Sequence, residues 1–178
     1  MARPEALGGG DAAPQAFVIR PAEPQDIAAI HSMIRELAAF ERLTHLCVAS
    51  EADIAIALFG PQPVAEVLIA SKDQEAAGFA LFFHNFSTFL GRRGLWLEDL
   101  FVRPPHRGQG CARQLLTALA AIALERRCGR FEWAVLDWNE RAIDFYRSLG
   151  AAVLPDWRIV RVVGKALDDL AGSGPGDH

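Results

Sequence analysis

The chain has 178 residues, of which 51% are hydrophobic, and its formal net charge is −4. This length favours a single domain with a sizeable core. The mildly acidic balance argues against a nucleic-acid partner, which would require a broad basic surface. No apolar run approaches the length of a membrane span, so no membrane partner is expected.

Hydrophobic periodicity and turn residues predict the element order β-α-α-β-β-β-α-β-α-β. Ser50 and Asp53 form a capping box at the start of the second helix, and Gly60-Pro61 stops that helix. The predicted elements are strands at Ala16–Arg20, Val64–Ala70, Ala76–Phe83, Leu95–Val102, Phe131–Leu136 and Trp157–Val163, with helices after Pro24, after Ser50, at Gln114–Arg126 and at Asn139–Leu149. This order predicts an α/β (α+β) fold, a mixed sheet with helices on both faces.

The two ends of the chain are predicted to be flexible tails, residues 1–15 and 171–178, around one domain at 16–170. The three cysteines are widely spaced and form no CxxC pair, which favours reduced thiols and a cytoplasmic location. The five histidines show no ligand spacing, so no metal site is expected.

The segment Arg107–Ala112, RGQGCA, is the strongest functional signal. It joins an apolar strand to a long helix, and its glycines leave backbone N–H groups bare at the helix N-terminus, where an anion is favoured. A P-loop would require Lys-Ser or Lys-Thr after the glycines, and a dinucleotide fingerprint would require glycine at Arg113. The remaining pattern is R-x-x-G-x-A; the alternative is a glycine turn that only starts a helix.

A second segment, Asn139–Gly150, fits N-x-x-A-x-x-F-Y-x-x-x-G. Together the two patterns resemble the coenzyme A loop and the last conserved segment of the GCN5-related N-acetyltransferase (GNAT) superfamily. The combination of Leu97–Val102, LEDLFV, with Asp137–Asn139, DWN, is similar to its diamine/polyamine branch, of spermidine/spermine and thialysine type. The resemblance covers roughly Phe17 to Leu170 at domain scale.

The resemblance implies a GNAT fold, with a mostly antiparallel central sheet that splays in the middle beside the glycine loop. It also implies acetyl-CoA as cosubstrate, no metal, and a homodimer. The loop would bind the pyrophosphate and the strand edge would offer backbone groups to the pantetheine. The residues thus assigned to the coenzyme are Leu100, Phe101, Val102, Arg107, Gly108, Gln109, Gly110, Cys111, Ala112, Arg113, Asn139 and Tyr146. For the two arginines, the alternative is an ordinary surface role.

Two carboxylates, Glu98 and Asp99, interrupt the apolar strand, and such groups are costly there unless they are solvated, paired or protonated. Strict alternation places Trp96, Glu98, Leu100 and Val102 on one face and Leu97, Asp99 and Phe101 on the other. With the resemblance, Glu98 is the candidate general base that relieves the substrate ammonium of a proton. The role of Asp99 stays open.

Tyr146 is the one tyrosine in the chain. Helical spacing favours a packing role for it, whereas its place in the second motif implies the acid that protonates the coenzyme A sulfur. Asn139 is a helix cap by pattern, and the resemblance adds a contact to the pantetheine or to the phosphate side of the coenzyme.

For the substrate, the resemblance places an aromatic-acidic pair at Phe40 and Glu41, where Glu41 could hold a distal ammonium. The branch more often has Tyr-Glu there, so Phe40 is a departure. The second acidic group expected before Trp157 is shifted or replaced, which leaves Asp156 undecided. Trp133 is a candidate for the substrate pocket, with a core role as its alternative.

The predicted function is acetyl transfer from acetyl-CoA to a primary amine of a small molecule, such as a diamine, polyamine or lysine-like amine, in a ternary complex. An acetyl-enzyme on Cys111 is the rival mechanism. Other acceptors, such as an amino acid, an antibiotic or a protein N-terminus, and a non-catalytic coenzyme A-binding regulatory module remain open as alternatives.

Overall fold

A computed structural model describes residues 17–172, and the chain divides into two units between Ala134 and Val135. The first unit contains five strands and three helices in its described part. These are β1 (Val18–Pro21), α1 (Ile27–Phe40), α2 (Glu51–Phe59), β2 (Glu66–Lys72), β3 (Glu75–Ser87), β4 (Arg92–Val102), α3 (Cys111–Glu125) and β5 (Phe131–Trp133). The described part of the second unit contains α4 (Glu140–Ser148) and α5 (Lys165–Gly172).

The sheet has the strand order β1-β2-β3-β4-β5. The first four strands are antiparallel neighbours, and β5 is parallel to β4. A parallel pair needs a long crossover, which α3 provides. The predicted fold class, a mixed and mostly antiparallel sheet with helices, is confirmed.

The two faces of the sheet carry different helices. A core cluster on one face joins the buried side chains of α1 and α2 to those of the sheet, namely Ile30, Met33, Leu37, Leu58, Val67, Ile69, Phe79 and Phe101. The other face is covered by α3, which contacts β1 to β4. Leu115 and Leu119 of α3 are fully buried. In the sequence, the three- and four-residue spacing of Ile27, Ile30, Ile34 and Leu37 predicts the buried face of α1, and all four lie in the core cluster or pack against it. The apolar spacing of Leu115, Leu116 and Leu119 likewise predicts the buried face of α3.

The second helix begins and ends as the sequence predicts. The Ser50 hydroxyl accepts a hydrogen bond from the Asp53 backbone N–H at 3.2 Å, and the Asp53 carboxylate accepts one from the Ser50 N–H at 2.8 Å. At the other end, a Cβ on Gly60 would lie 2.5 Å from the Ile56 carbonyl oxygen. Only glycine fits there. The helix ends because Gly60 is extended, with ψ −179°, as the residue before a proline prefers to be.

The pairing of β4 with its neighbours is irregular at Glu98. Asp99 pairs with Leu81 of β3 and Leu97 pairs with Phe82, so two steps along β4 match one step along β3. Glu98 is therefore the extra residue of a β-bulge. On the other side, the pairing of β4 with β5 covers Leu95–Leu97 and ends there.

Several predicted boundaries are wrong. The strand predicted at Trp157–Val163 is absent: residues 151–163 contain no helix or strand, and Val160 is 88% exposed. A strand needs a hydrogen-bonded neighbour, and the described part of the second unit contains none. The predicted strand Phe131–Leu136 ends at Trp133, and β4 begins at Arg92, three residues before the predicted start at Leu95.

The C-terminal helix α5 was not predicted. Residues 171–172, assigned to a tail, belong to it, whereas the predicted tails 1–15 and 173–178 lie outside the described residues. The prediction of one domain at 16–170 stays a prediction. No helix within residues 17–172 has the length and apolar character to cross a membrane.

Candidate active site

The bulge at Glu98 changes which side chains of β4 share a face. Paired residues on neighbouring strands present their side chains to the same face, so Asp99, opposite Leu81, lies with Phe101 on the α1–α2 side. Leu97, opposite Phe82, lies on the α3 side. The prediction that Leu97 and Asp99 share a face is wrong because the extra residue between them reverses the alternation.

The Glu98 side chain is exposed, but a hydrogen bond restrains its carboxylate. Its carboxylate accepts a hydrogen bond of 2.8 Å from the indole N–H of Trp96. The predicted shared side of Trp96 and Glu98 agrees with this bond. Trp96 was not named as a site residue, although its spacing from Glu98 was a usable signal. The bond fixes one of the two carboxylate oxygens, Oε2.

The charges of Glu98 and Glu41 both act on Asp99, and these three residues are called the carboxylate cluster below. Burial, and after it the charges of Glu98 and Glu41, raise the pKa of Asp99 to about 6. Burial also raises the pKa of Glu41, which directly follows α1. The cluster therefore favours a bound cation, which would relieve the mutual repulsion. Asp99, whose role the sequence left open, lies next to Glu98 in the chain and within electrostatic range of Glu41.

Replacing Asp99 by asparagine is expected to stabilise the protein at alkaline pH. Its folded pKa is about 6 and its ordinary value 3.8, so the wild type loses stability as the pH rises through that range. Asparagine carries no charge at any pH and avoids this loss. Urea unfolding should show Asp99→Asn more stable by on the order of 2 kcal/mol at pH 8 and equal to wild type near pH 4. An advantage that is constant with pH would contradict the assignment.

The glycine loop begins α3 with two residues in the left-handed region. Gly108 has φ 75° and Gly110 has φ 85°, values that favour glycine. A Cβ at either position would meet nothing within 4 Å, so the space over the loop is open. Gly110 is the N-cap of α3 and supplies no side chain to its N–H groups. The loop thus suits an anion approaching the bare backbone donors.

Other side chains hold the loop in place. Gln109 donates to the Pro105 carbonyl at 2.9 Å and accepts a hydrogen bond from Lys72 at 2.8 Å. Lys72 lies at the end of β2 and brings a positive charge to the loop. The sequence contained no signal for it, because its distance from the motif along the chain hides the contact. Ala112 and exposed Arg113 continue into the first turn of α3.

Cys111 carries a buried thiol that is not reactive. Its side chain is 2% exposed, and burial raises its pKa to about 11. A thiol with such a pKa is almost entirely protonated at neutral pH and is a poor nucleophile.

Arg107 contacts the strand and the end of α1. Its Nε donates to the Val102 carbonyl at 2.8 Å. Its guanidinium carbon lies 5.2 Å from the ring centroid of Phe40 and 5.5 Å from that of Phe101. The Arg107 side chain, which was predicted to bind the phosphates, therefore contacts β4 and the end of α1, where Phe40 and Glu41 lie.

The outer edge of β4 offers backbone groups at alternate residues. Arg103 N–H donates to the Ala77 carbonyl at 2.9 Å. Because hydrogen-bonded and non-hydrogen-bonded pairs alternate along an antiparallel ladder, the N–H and C=O groups of Val102 and Leu100 point away from β3. Phe101 directs its backbone groups to Phe79 and is thus not an edge residue. Of the three residues predicted to offer backbone groups to the pantetheine, only Leu100 and Val102 have backbone groups that face outward.

Trp133 lies on the other face from Asp99. It pairs with Leu97 across β4 and β5, and its ring centroid is 4.9 Å from that of Phe131. Because paired residues share a face, Trp133 belongs to the α3 side. This separates it from the carboxylate cluster.

In the second unit, α4 carries the remaining predicted residues. Asn139 caps the helix by accepting a hydrogen bond from the Ala142 N–H at 3.3 Å. The half-buried Tyr146 lies with its ring centroid 5.5 Å from that of Phe145. Gly150 ends the helix with φ 88°. Asp156 lies in an exposed turn. The cap and the glycine stop were both predicted.

Within residues 17–172 no group of three or more histidine, cysteine or acidic side chains is arranged to hold a metal ion.

Comparisons with known proteins agree with these features. The model of the acetyltransferase (GNAT) family matches residues 33–151. L-ornithine N5-acetyltransferase NATA1 of Arabidopsis thaliana is 37% identical over 197 residues, covering 85% of this chain and 86% of that protein. Thialysine N-epsilon-acetyltransferase of Sus scrofa is 38% identical over 166 residues, covering 87% and 97%.

Among solved structures, an integron cassette protein from the mobile metagenome of V. cholerae aligns with a TM-score of 0.76 and 28% identity, covering 89% of this chain and 99% of that one. The family match spans the bulged strand, the glycine loop and α4. The chain is an acyltransferase and belongs to the acetyltransferase (GNAT) family.

Proposed function

We propose that the protein is an acetyl-CoA-dependent N-acetyltransferase that transfers an acetyl group to a primary amine of a small diamine, polyamine or lysine-like molecule. The observation that carries this proposal is the carboxylate cluster of Glu41, Glu98 and Asp99 at the bulge of β4. An anionic cluster of this kind favours a substrate with one or more ammonium groups. Relatives named for ornithine and thialysine acetylation support the same class.

The coenzyme is proposed to bind at the outer edge of β4 and over the glycine loop. The open space above Gly108 and Gly110 and the bare N–H groups of α3 fit a pyrophosphate. When bound, acetyl-CoA supplies an activated acetyl thioester. Leu100 and Val102 would present edge N–H groups to the pantetheine and polarise the acetyl carbonyl. Asn139 is proposed to contact the pantetheine or the phosphate side.

Glu98 is proposed as the general base. An amine must lose its proton before its nitrogen can attack a carbonyl, and Glu98 would accept that proton directly or through water. The indole N–H of Trp96 holds its carboxylate for this task. Glu41 would hold a distal ammonium, and Phe40 would flank the substrate chain.

Tyr146 is proposed as the general acid. As the carbon–sulfur bond breaks, the sulfur leaves with the electron pair, and the phenol O–H would donate a proton to it. The nitrogen–carbon bond formed in the same transfer yields the acetylated amine and free coenzyme A.

The test is release of free thiol from acetyl-CoA across diamines, polyamines, lysine analogues and amino acids. Turnover with one amine class is expected, and Glu41→Gln should raise KM about tenfold for amines that carry a second ammonium. Monoamines should be unaffected by this change.

The matched control is Glu75→Gln, because Glu75 is an exposed carboxylate in the β2–β3 hairpin. It changes the net charge equally and should leave every KM unchanged. Coenzyme binding without turnover of any amine in the panel would refute the proposed substrate class.

Cys111→Ala is expected to keep full turnover. Direct transfer needs no nucleophile on the enzyme, and the buried thiol is protonated at neutral pH. Initial rates at saturating acetyl-CoA check this expectation. A loss of more than about a hundredfold in kcat, with unchanged coenzyme binding, would instead support an acetyl-enzyme.

A homodimer in the cytoplasm completes the proposal. The apolar side chains of residues 153–163, including Trp157 at 75% exposure and Ile159 at 70%, support a surface covered by a second copy. The three free cysteines suit a reducing compartment. Light scattering on the purified protein would measure the mass, and a monomer at all concentrations would refute the dimer.

A further inference from the structure

Two arginines on the segment after β4 face one stripe of α1. Ser32, Glu36 and Phe40 follow one another at four-residue spacing, so they lie on the same side of the helix. Arg103 donates to the Glu36 carboxylate at 2.9 Å and to the Ser32 hydroxyl at 3.3 Å. Arg107 stacks on Phe40, the last residue of α1. The segment thus holds α1 at its middle and at its end.

The contacts of Arg107 use the shape of the guanidinium and not only its charge. Phe40 and Phe101 both lie within cation–π distance of the guanidinium. The Nε–H is directed at the Val102 carbonyl. A planar group with a donor at its inner end satisfies all three partners, which a lysine ammonium cannot do.

The position held by Arg107 matters for the carboxylate cluster. Glu41 follows Phe40 directly, and its charge acts on Asp99 of β4. The distance between α1 and β4 at this point sets how the two carboxylates face a bound cation. Phe40 is 43% exposed, so its ring lies at the protein surface, where the guanidinium of Arg107 stacks on it.

We propose that Arg107 is a positioning residue for the amine substrate, which locks Phe40 and Glu41 onto β4, and that it is not a ligand of the coenzyme phosphates. This inference rests on the proposed function. The position of Arg107 at the start of the glycine motif favours a contact with the phosphates. Its side chain, however, contacts β4 and the end of α1, where the carboxylate cluster lies. The loop keeps Lys72 and Arg113 as its cations.

The test compares Arg107→Met and Arg107→Lys with wild type, using acetyl-CoA and the best amine of the panel. Both variants are expected to raise KM for the amine about tenfold and to leave KM for acetyl-CoA within about twofold. A phosphate ligand would give the reverse pattern, with Arg107→Lys close to wild type, because lysine keeps the charge. Either of those results would overturn the proposal.

A double-mutant cycle with Phe40→Leu tests the stack itself. If Arg107 acts through Phe40, the effects of Phe40→Leu and Arg107→Met on KM for the amine are less than multiplicative. Fully independent effects would overturn the proposal. Arg103→Met is the matched control, because it loosens α1 at Glu36 without touching Phe40. It should lower Tm with a smaller change in KM for the amine; an equal change would indicate general loosening instead.

Calorimetric titration with coenzyme A separates this proposal from the proposed function. If wild type binds coenzyme A but acetylates no amine in the panel, the substrate proposal fails. The titration still decides on Arg107: a dissociation constant that rises about tenfold in Arg107→Met, with a weaker salt dependence, would make it a phosphate ligand. An unchanged dissociation constant would show that Arg107 does not bind the phosphates, as proposed.

Discussion

Tyr146→Phe is expected to lower kcat by about a hundredfold or more while KM for acetyl-CoA changes little. The substitution keeps the ring that packs beside Phe145 and removes only the hydroxyl. Without a donor, the sulfur must leave as an unprotonated thiolate, which raises the barrier to breaking the carbon–sulfur bond. Steady-state kinetics with saturating amine, together with coenzyme A binding by calorimetry, measure the two quantities separately.

Phe145→Leu is the control for Tyr146, because it disturbs the aromatic packing of α4 and keeps the hydroxyl. It is expected to lower Tm more than Tyr146→Phe does and to lower kcat less. A Tyr146→Phe protein with the kcat of wild type would show that Tyr146 is a packing residue, the role that its helical spacing favours.

Elements bounded by local hydrogen bonds could be predicted from the sequence. The capping box of Ser50 and Asp53, the cap at Asn139 and the glycine stop at Gly150 join residues close together along the chain. Their partners therefore lie within the same short window of sequence. The apolar faces of α1 and α3 followed from periodicity for the same reason.

The bulge at Glu98 could not be predicted in this way. It arises from the pairing of β4 with Leu81 and Phe82 of β3, and no glycine in Leu95–Val102 marks it. Because side chains alternate along a strand, one extra residue moved Asp99 to the face of Glu41. The most perturbed carboxylate of the site was consequently the one whose role the sequence left open.

Arg107 shows the limit of a motif. Its position in R-x-x-G-x-A indicates where its backbone lies, but the direction of its side chain depends on Phe40 and Phe101. Those rings meet it only after α1 packs on the sheet. The segment Trp157–Val163 was wrongly predicted for a similar reason. Its β-branched residues favour a strand, but the described part of its unit contains no other strand with which it could pair.

Glu98→Gln is expected to lower kcat/KM for the amine by about a hundredfold near neutral pH, and the loss should shrink as the pH rises. Glutamine keeps the size of the side chain and an oxygen that accepts the Trp96 N–H, so the geometry at the bulge is preserved. What it loses is the ability to take a proton. Each pH unit below the pKa of the amine lowers its neutral fraction about tenfold, and the variant depends on that fraction.

The pH profile separates a base from a residue that only binds the substrate. If Glu98 only attracted the ammonium, the loss in Glu98→Gln would persist or grow as the pH rises, until the amine itself became neutral. A base gives a loss that narrows steadily over the same range. Asp99→Asn provides the comparison, because Asp99 is the neighbouring carboxylate with the raised pKa of about 6. A narrowing loss in Asp99→Asn together with a flat loss in Glu98→Gln would move the proton acceptor to Asp99 and leave Glu98 as a binding group.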